Sequence, residues 1–218
     1  MNNKIHEARR IKALLVKHAK RSFSLGLVRG TGGNMSVRLD AESFFITATG
    51  RSLGDMTARD IVLCRTDKDS DCKNASMEWM LHSRIYRSRK DVNAVFHSQP
   101  PYSTLVACAK DRKIKTRLIP EAVAFLEHIA VVPYHHAGSI ELAEKCADAA
   151  KKADVLLLVN HGLVTTGPGI EDAVSRTLTF EFLCRLNVLS RTADMEMKDI
   201  PPGKAKQFLK LLGKRKRA

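Results

Sequence analysis

The side chains able to bind a divalent metal and move a proton gather in two stretches of this chain. Glu78 and His82 stand four apart in Glu78-Trp-Met-Leu-His82-Ser-Arg-Ile-Tyr86, so on a helix they share a face. Val92, Ala94, Val95 and Phe96 follow as a short apolar run closed by Pro100-Pro101, the pattern of an interior strand. Strand side chains alternate, so His97 and Gln99 point to one side. A helix offering a carboxylate beside a strand offering an imidazole and an amide oxygen makes a metal cradle that needs one more ligand. His161, in Asn160-His161-Gly162 directly after the apolar run 155–159, is the natural supplier. The plainer alternatives are a helix-start carboxylate for Glu78, favoured by the dipole, and histidines left in an inactive pocket for His97 and His161. Gln99 ligates through its amide oxygen or serves a structural role.

The elements that must position these residues are legible around them. A basic amphipathic helix is expected over residues 5–25, with Ile11, Leu14, Leu15 and Ala19 at helical spacing and Gly26 ending it. Gly30-Thr-Gly-Gly33-Asn34-Met-Ser-Val-Arg38 is a tight turn entering a strand, and its backbone N–H groups can converge on an anion. Residues 43–47 and 61–64 read as strands, residues 66–74 as a polar loop, and Ser76 as the N-cap of the helix carrying Glu78. Further strands are expected at 129–132, 154–159 and 163–166, and helices at 140–152, capped by Ser139, and 170–191. Strands lying between helices fit a three-layer α/β/α domain with a mixed or antiparallel central sheet.

Length and composition set bounds. The 218 residues, 44% of them hydrophobic, suffice for one real core, expected over residues 1–199 with a basic tail at 200–218. No apolar run reaches membrane-helix length and the N-terminus lacks a signal-peptide stretch, so no membrane role and a cytoplasmic location are expected. The five scattered cysteines contain no C-x-x-C pair and are read as reduced thiols. The net charge of +14 attracts phosphorylated metabolites. Part of it lies in Lys204, Lys206, Lys210, Lys214, Arg215, Lys216 and Arg217. The rest is spread over helices without a single stripe, so nucleic acid is not the expected partner.

Taken in order, these motifs resemble the class II aldolase/adducin family. The matching stretches are the Gly30 to Arg38 turn, Phe45-Ile-Thr-Ala-Thr-Gly50, Glu78-Trp-Met-Leu-His82 with Ile85-Tyr86, Asp91-Val-Asn-Ala-Val-Phe-His97, Val132-Pro-Tyr134 with Gly138, and Asn160-His-Gly162. The resemblance implies a divalent metal, zinc first with manganese, cobalt or iron as alternatives, and a small sugar-phosphate or hydroxy-keto substrate handled through an enediolate. It implies His97 and His161 as metal ligands, with Gln99 where a second strand histidine is usual, and Glu78 as the proton-transfer residue. It places the phosphate at Gly33, Asn34, Thr49, Gly50 and Ser76, and it implies a homo-oligomer, commonly a tetramer.

The chain departs from the family pattern in three places. Gln99 replaces a histidine, and Met77 replaces a small polar residue before Glu78. The tyrosine that fuculose-phosphate-type aldolases lend from a neighbouring subunit has no counterpart in residues 120–128. These departures point away from an ordinary fuculose- or rhamnulose-phosphate aldolase. They keep a second reading in view: a non-catalytic, adducin-like oligomeric scaffold with a degenerate metal site.

Overall fold

The computed structural model describes residues 2–66 and 72–213. Its centre is a seven-stranded sheet in the order β3-β2-β1-β4-β7-β6-β5. The strands are β1 (Asn34–Arg38), β2 (Ser43–Thr47), β3 (Ile61–Arg65), β4 (Ala94–Ser98), β5 (Ile129–Val132), β6 (Val155–Leu158) and β7 (Gly162–Gly167). Neighbours pair antiparallel except β5 and β6, which run parallel. The mixed sheet of the sequence reading is therefore the observed one.

Helices cover both faces. On one side α2 (Trp79–Ser88) and α5 (Ile140–Ala150) pack on the sheet. Leu81, Ile85, Tyr86, Leu142, Ala143 and Cys146 meet Phe44, Ile46, Val95, Leu156 and Val164 there. On the other side lie α1 (Asn2–Ser24), α3 (Pro101–Cys108) and α6 (Ile170–Thr192). The stripe Ile11, Leu15 and Ala19 of α1 is buried against Met35, Val37, Phe45 and Phe96. Val106 of α3 and Phe180 and Leu183 of α6 pack against Leu157 and Leu163. β4 lies between these layers with all five residues buried, which is why its sequence shows an apolar run instead of alternation. The short helix α4 (Pro120–Phe125) precedes β5. Two 3₁₀ turns, Leu53–Asp55 and Ala58–Asp60, connect β2 to β3.

Beyond α6 the chain returns to the body. The Ile200 N–H donates to the Arg117 carbonyl at 2.7 Å. Helix α7 (Pro202–Leu211) follows, and Phe208 and Leu212 border an apolar groove with Pro120, Ala124 and Phe125. The apolar face of this helix thus meets α4 of its own chain. The basic run 214–217 lies outside the described residues, as does most of the polar loop expected at 66–74.

The cysteines depart from expectation. Cys64, at the end of β3, and Cys72, on the segment leading back to the site, have Cα atoms 5.7 Å apart and form a disulfide, within the usual bridging range. Their separation of eight residues resembles no motif. The pairing follows from the return of the chain to β2, marked by the Ala48–Ala75 bridge. Cys108 is exposed, while Cys146 and Cys184 are free and buried; burial raises the thiol pKa of both, that of Cys184 to about 12.

Thiol titration of the unreduced protein is therefore expected to count one fast-reacting group in the native state, Cys108, and three groups after denaturation. Five reactive groups on denaturation without reductant would show that Cys64 and Cys72 are not paired.

Candidate active site

Four segments meet at one end of β4. Asn34 opens β1 directly opposite His97 on β4. β7 pairs with the other edge of β4, placing Leu163 opposite Ser98. The β6–β7 turn, with Asn160 at φ 54°, carries His161. Gly162 is required there: a Cβ would sit 2.6 Å from the Ser98 carbonyl and 3.1 Å from Gln99 Cγ, so only glycine lets the turn close on β4. Gly33 does the same for β1. It holds φ +77°, and a Cβ would lie 2.4 Å from Val28 and 3.0 Å from the His97 carbonyl.

Glu78 sits at the N-cap position of α2, one residue outside the helix, with φ −95° and ψ 16°. Residue type alone puts Ser76 at the cap and Glu78 inside the first turn. Instead Ser76 Oγ accepts the Glu78 N–H at 3.3 Å, and the Glu78 side chain turns inward. It is 5% exposed.

The carboxylate reaches both histidines: Oε2 is 3.0 Å from His97 Nε2 and Oε1 is 3.4 Å from His161 Nε2. The two imidazoles meet edge to face with centroids 4.8 Å apart. His97 Nδ1 lies 3.1 Å from the Leu163 carbonyl, which only accepts, so Nδ1 carries a proton and Nε2 is the ring atom that faces Glu78. Glu78 Oε1 is buried without a hydrogen-bond partner. One donor atom from each of Glu78, His97 and His161 lies within 4.8 Å of the others. Lone pairs facing one another in a buried corner need a proton or a cation between them, and two imidazole nitrogens with a carboxylate oxygen are a donor set that zinc accepts. The residues present therefore fit a divalent metal.

Gln99 reaches the same point, its amide Nε2 2.7 Å from His97 Nε2. In this orientation the amide donates to the ring, whereas turning it over offers the oxygen instead.

Electrostatics follow from burial. Desolvation alone would raise the Glu78 carboxyl, but the facing His97 and His161 and the Asn34 amide outweigh it and hold the group below its ordinary value. Burial, with help from His97, lowers His161, and Glu78 only partly offsets this. His82 is driven down to about 3, chiefly by complete burial.

Above this floor opens a cleft of about 350 Å³. All nine residues proposed from the sequence line it: Gly33, Asn34, Thr49, Gly50, Ser76, Glu78, His97, Gln99 and His161. Thr31 and Gly32 of the anion turn, Ala48, and Met77, the residue that departs from the family pattern before Glu78, also line it, and so does Ala137, which was not anticipated. His82 does not reach the cleft. Its Nε2 is 2.6 Å from Asn34 Oδ1, and Asn34 Nδ2 donates to Glu78 Oε2 at 3.1 Å. The i,i+4 spacing thus indicated a shared face, and Asn34 stands between the pair. His128 and His136 are exposed and lie outside the cleft.

A mixed α/β domain whose sheet end gathers a carboxylate and two imidazoles beneath a cleft of turn amides and hydroxyls has the donor set of a metal centre. The chain belongs to the class II Aldolase and Adducin N-terminal domain family, which matches residues 13–188. It is 34% identical over 174 residues to a protein of Methanococcus maripaludis named L-fuculose phosphate aldolase, covering 80% of this chain and 94% of that one. It is 28% identical to a Haemophilus influenzae protein named 3-oxo-tetronate 4-phosphate decarboxylase, covering 87% of this chain and 95% of the other. Among solved structures, an L-fuculose 1-phosphate aldolase superposes with a TM-score of 0.82 at 25% identity, over 94% of this chain and 96% of that one.

The buried histidines make stability depend on pH in one direction. The unfolded chain takes up protons near the ordinary histidine value of 6.5, whereas folded His82 does so only near 3. Stability is therefore fully present above about pH 6.5 and falls as pH drops toward 3, with a slope of up to about 1.4 kcal/mol per pH unit for each such group. Lowered His161 and Glu78 act with the same sign. Urea midpoints measured between pH 7 and 4 are expected to fall, and His82→Gln is expected to flatten the slope; an unchanged slope in that variant would remove His82 from the cause.

Proposed function

We propose that this chain is a metal-dependent lyase of the class II aldolase type, acting on a small sugar phosphate or related hydroxy-keto compound. The observation that carries the proposal is the meeting of Glu78, His97 and His161 at the floor of a cleft rimmed by Gly33, Asn34, Thr49, Gly50 and Ser76. The rim is suited to an anion: turn amides and small hydroxyls donate without the bulk of long side chains. The floor is suited to proton transfer beside a polarised oxygen.

His97 and His161 are proposed as metal ligands, with Glu78 close enough to join them and Gln99 as the further donor through its amide oxygen. The ion is proposed to be zinc, with manganese, cobalt or iron compatible with the donors. When bound, a divalent ion polarises the substrate carbonyl and hydroxyl oxygens and stabilises negative charge developing on them. Glu78 takes or returns the proton. It is suited to this because it is held ionised, with Asn34 donating to one oxygen and the other left without a hydrogen-bond partner. The rim residues hold the phosphate and so fix the reacting carbons over the floor. Aldol cleavage and decarboxylation beside a keto group both leave a carbanion stabilised by the adjacent carbonyl, and both activities appear among the names of the relatives. One site can serve either, and fold alone does not choose. A homo-oligomer, tetrameric by resemblance to the family, and a cytoplasmic location complete the reading.

Gln99 favours a second reading, the oligomeric scaffold with a degenerate site, because an amide is a weaker zinc donor than imidazole. Against it stands the retention of Glu78, His97 and His161 in one buried group, for which a scaffold has no physical need.

The test is turnover of L-fuculose 1-phosphate and related keto-sugar phosphates by protein loaded in turn with zinc, manganese, cobalt or iron, following release of aldehyde or carbon dioxide. Glu78→Gln is expected to lower kcat by about 10²- to 10⁴-fold, the range for a lost acid/base group, with little change in KM. Absence of turnover with every ion, alongside normal folding, would overturn the lyase reading and leave the scaffold.

A further inference from the structure

A second line of buried polar groups leads away from the cleft. From Glu78 it runs to Asn34 (Nδ2 to Oε2, 3.1 Å), from Asn34 to His82 (Oδ1 to Nε2, 2.6 Å), from His82 to Ser36 (Nδ1 to Oγ, 2.7 Å) and from Ser36 to Tyr86 (Oγ to hydroxyl, 2.7 Å). All of its members are buried, and Ser36, His82 and Tyr86 have no exposure at all. Two periodicities build it. Asn34 and Ser36 are two apart on β1 and share a face of the sheet; His82 and Tyr86 are four apart on α2 and share a face of the helix.

The direction of every link can be deduced. A carboxylate only accepts, so Asn34 must turn its NH₂ toward Glu78. Its carbonyl oxygen then faces His82, so His82 carries its proton on Nε2. His82 Nδ1 is then an acceptor, so the Ser36 hydroxyl donates to it, and the Tyr86 hydroxyl donates to Ser36. Each group donates toward the carboxylate. Reversing any one link would set two lone pairs, or two protons, against each other where water cannot intervene.

We infer that Ser36, His82 and Tyr86 are positioning residues for the reaction: acting through Asn34, they fix how Glu78 presents its carboxylate to the cleft. The inference rests on the reading of Glu78 as the proton-transfer group. The relay ties Oε2, which also lies 3.0 Å from His97 Nε2, to Asn34 and so directs Oε1, which has no hydrogen-bond partner, to the floor beside His161. It also holds the Asn34 amide, itself part of the cleft lining, in one of its two orientations. Of the relay residues beyond Glu78, Asn34 alone lines the cleft.

The test has two parts, both on the full chain. Long-range proton–nitrogen NMR of the His82 ring, assigned against His82→Gln, is expected to show a neutral ring protonated on Nε2 alone. A ring protonated on Nδ1, or a mixture of both forms, would overturn the relay whatever the enzyme does. Kinetics then read its purpose. Ser36→Ala is expected to lower kcat by about tenfold, the scale for losing a group that orients an active residue, with KM changed less than about twofold, and Ser36→Thr, which keeps the hydroxyl, is expected to restore most of it. Ser36→Ala protein that melts earlier yet keeps wild-type kcat would reduce the network to a structural one and overturn the positioning role. A wild type without turnover on any sugar phosphate would overturn the proposed function instead, while the ring-nitrogen pattern would still decide the relay.

Discussion

Lone pairs crowd together at the end of β4, and much of the architecture serves to hold them there. His97 cannot swing away, because Leu163 on the neighbouring strand fixes its Nδ1 and β4 is buried on both faces. Glu78 is almost wholly covered, its remaining exposure opening on the cleft. His161 is brought in by a turn that closes only because Gly162 has no side chain. Acceptors confined this way in low dielectric are costly unless a proton or cation joins them. The cost is concentrated where the cleft opens, which is where a site that binds an ion and a charged substrate can use it.

Much of the site was legible because its residues come in short motifs whose spacing maps onto regular structure. The two-residue spacing of His97 and Gln99 at the end of an extended run gave them a common side, and the apolar run before His161 placed that residue at the end of a strand. What was not legible depended on contacts between segments distant in sequence. Asn34 and Glu78 are 44 residues apart, and nothing local announces that an asparagine will sit between Glu78 and His82. The same holds for the pairing of Cys64 with Cys72, which needs the path of the chain beyond β3. The cap of α2 was not legible for a smaller reason: Ser76 is a favourable cap by type, but the backbone begins its helix two residues later. Helix ends are set by such local competition, not by the apolar period.

The cleft divides its labour by chemistry. Neutral donors at the rim suit an anion that must bind and leave, and the ionisable groups are reserved for the floor. The basic surface implied by a net charge of +14 adds a long-range attraction for phosphorylated compounds without a cation having to occupy the pocket. Gln99 is the one member whose role the donor chemistry leaves two-sided. It can donate to His97 or, turned over, lend an oxygen to an ion, and an oxygen in place of an imidazole nitrogen shifts a site away from the softest ions.

The most direct test of the account is a calorimetric titration of zinc into chelator-stripped protein, compared with His97→Ala and His161→Ala variants. The account predicts one ion per chain, bound by the wild type, with heat of binding lost in both variants while their circular dichroism stays native. Wild-type protein that takes up no ion, or variants that bind as tightly as wild type, would contradict the claim that this buried corner is built around a cation.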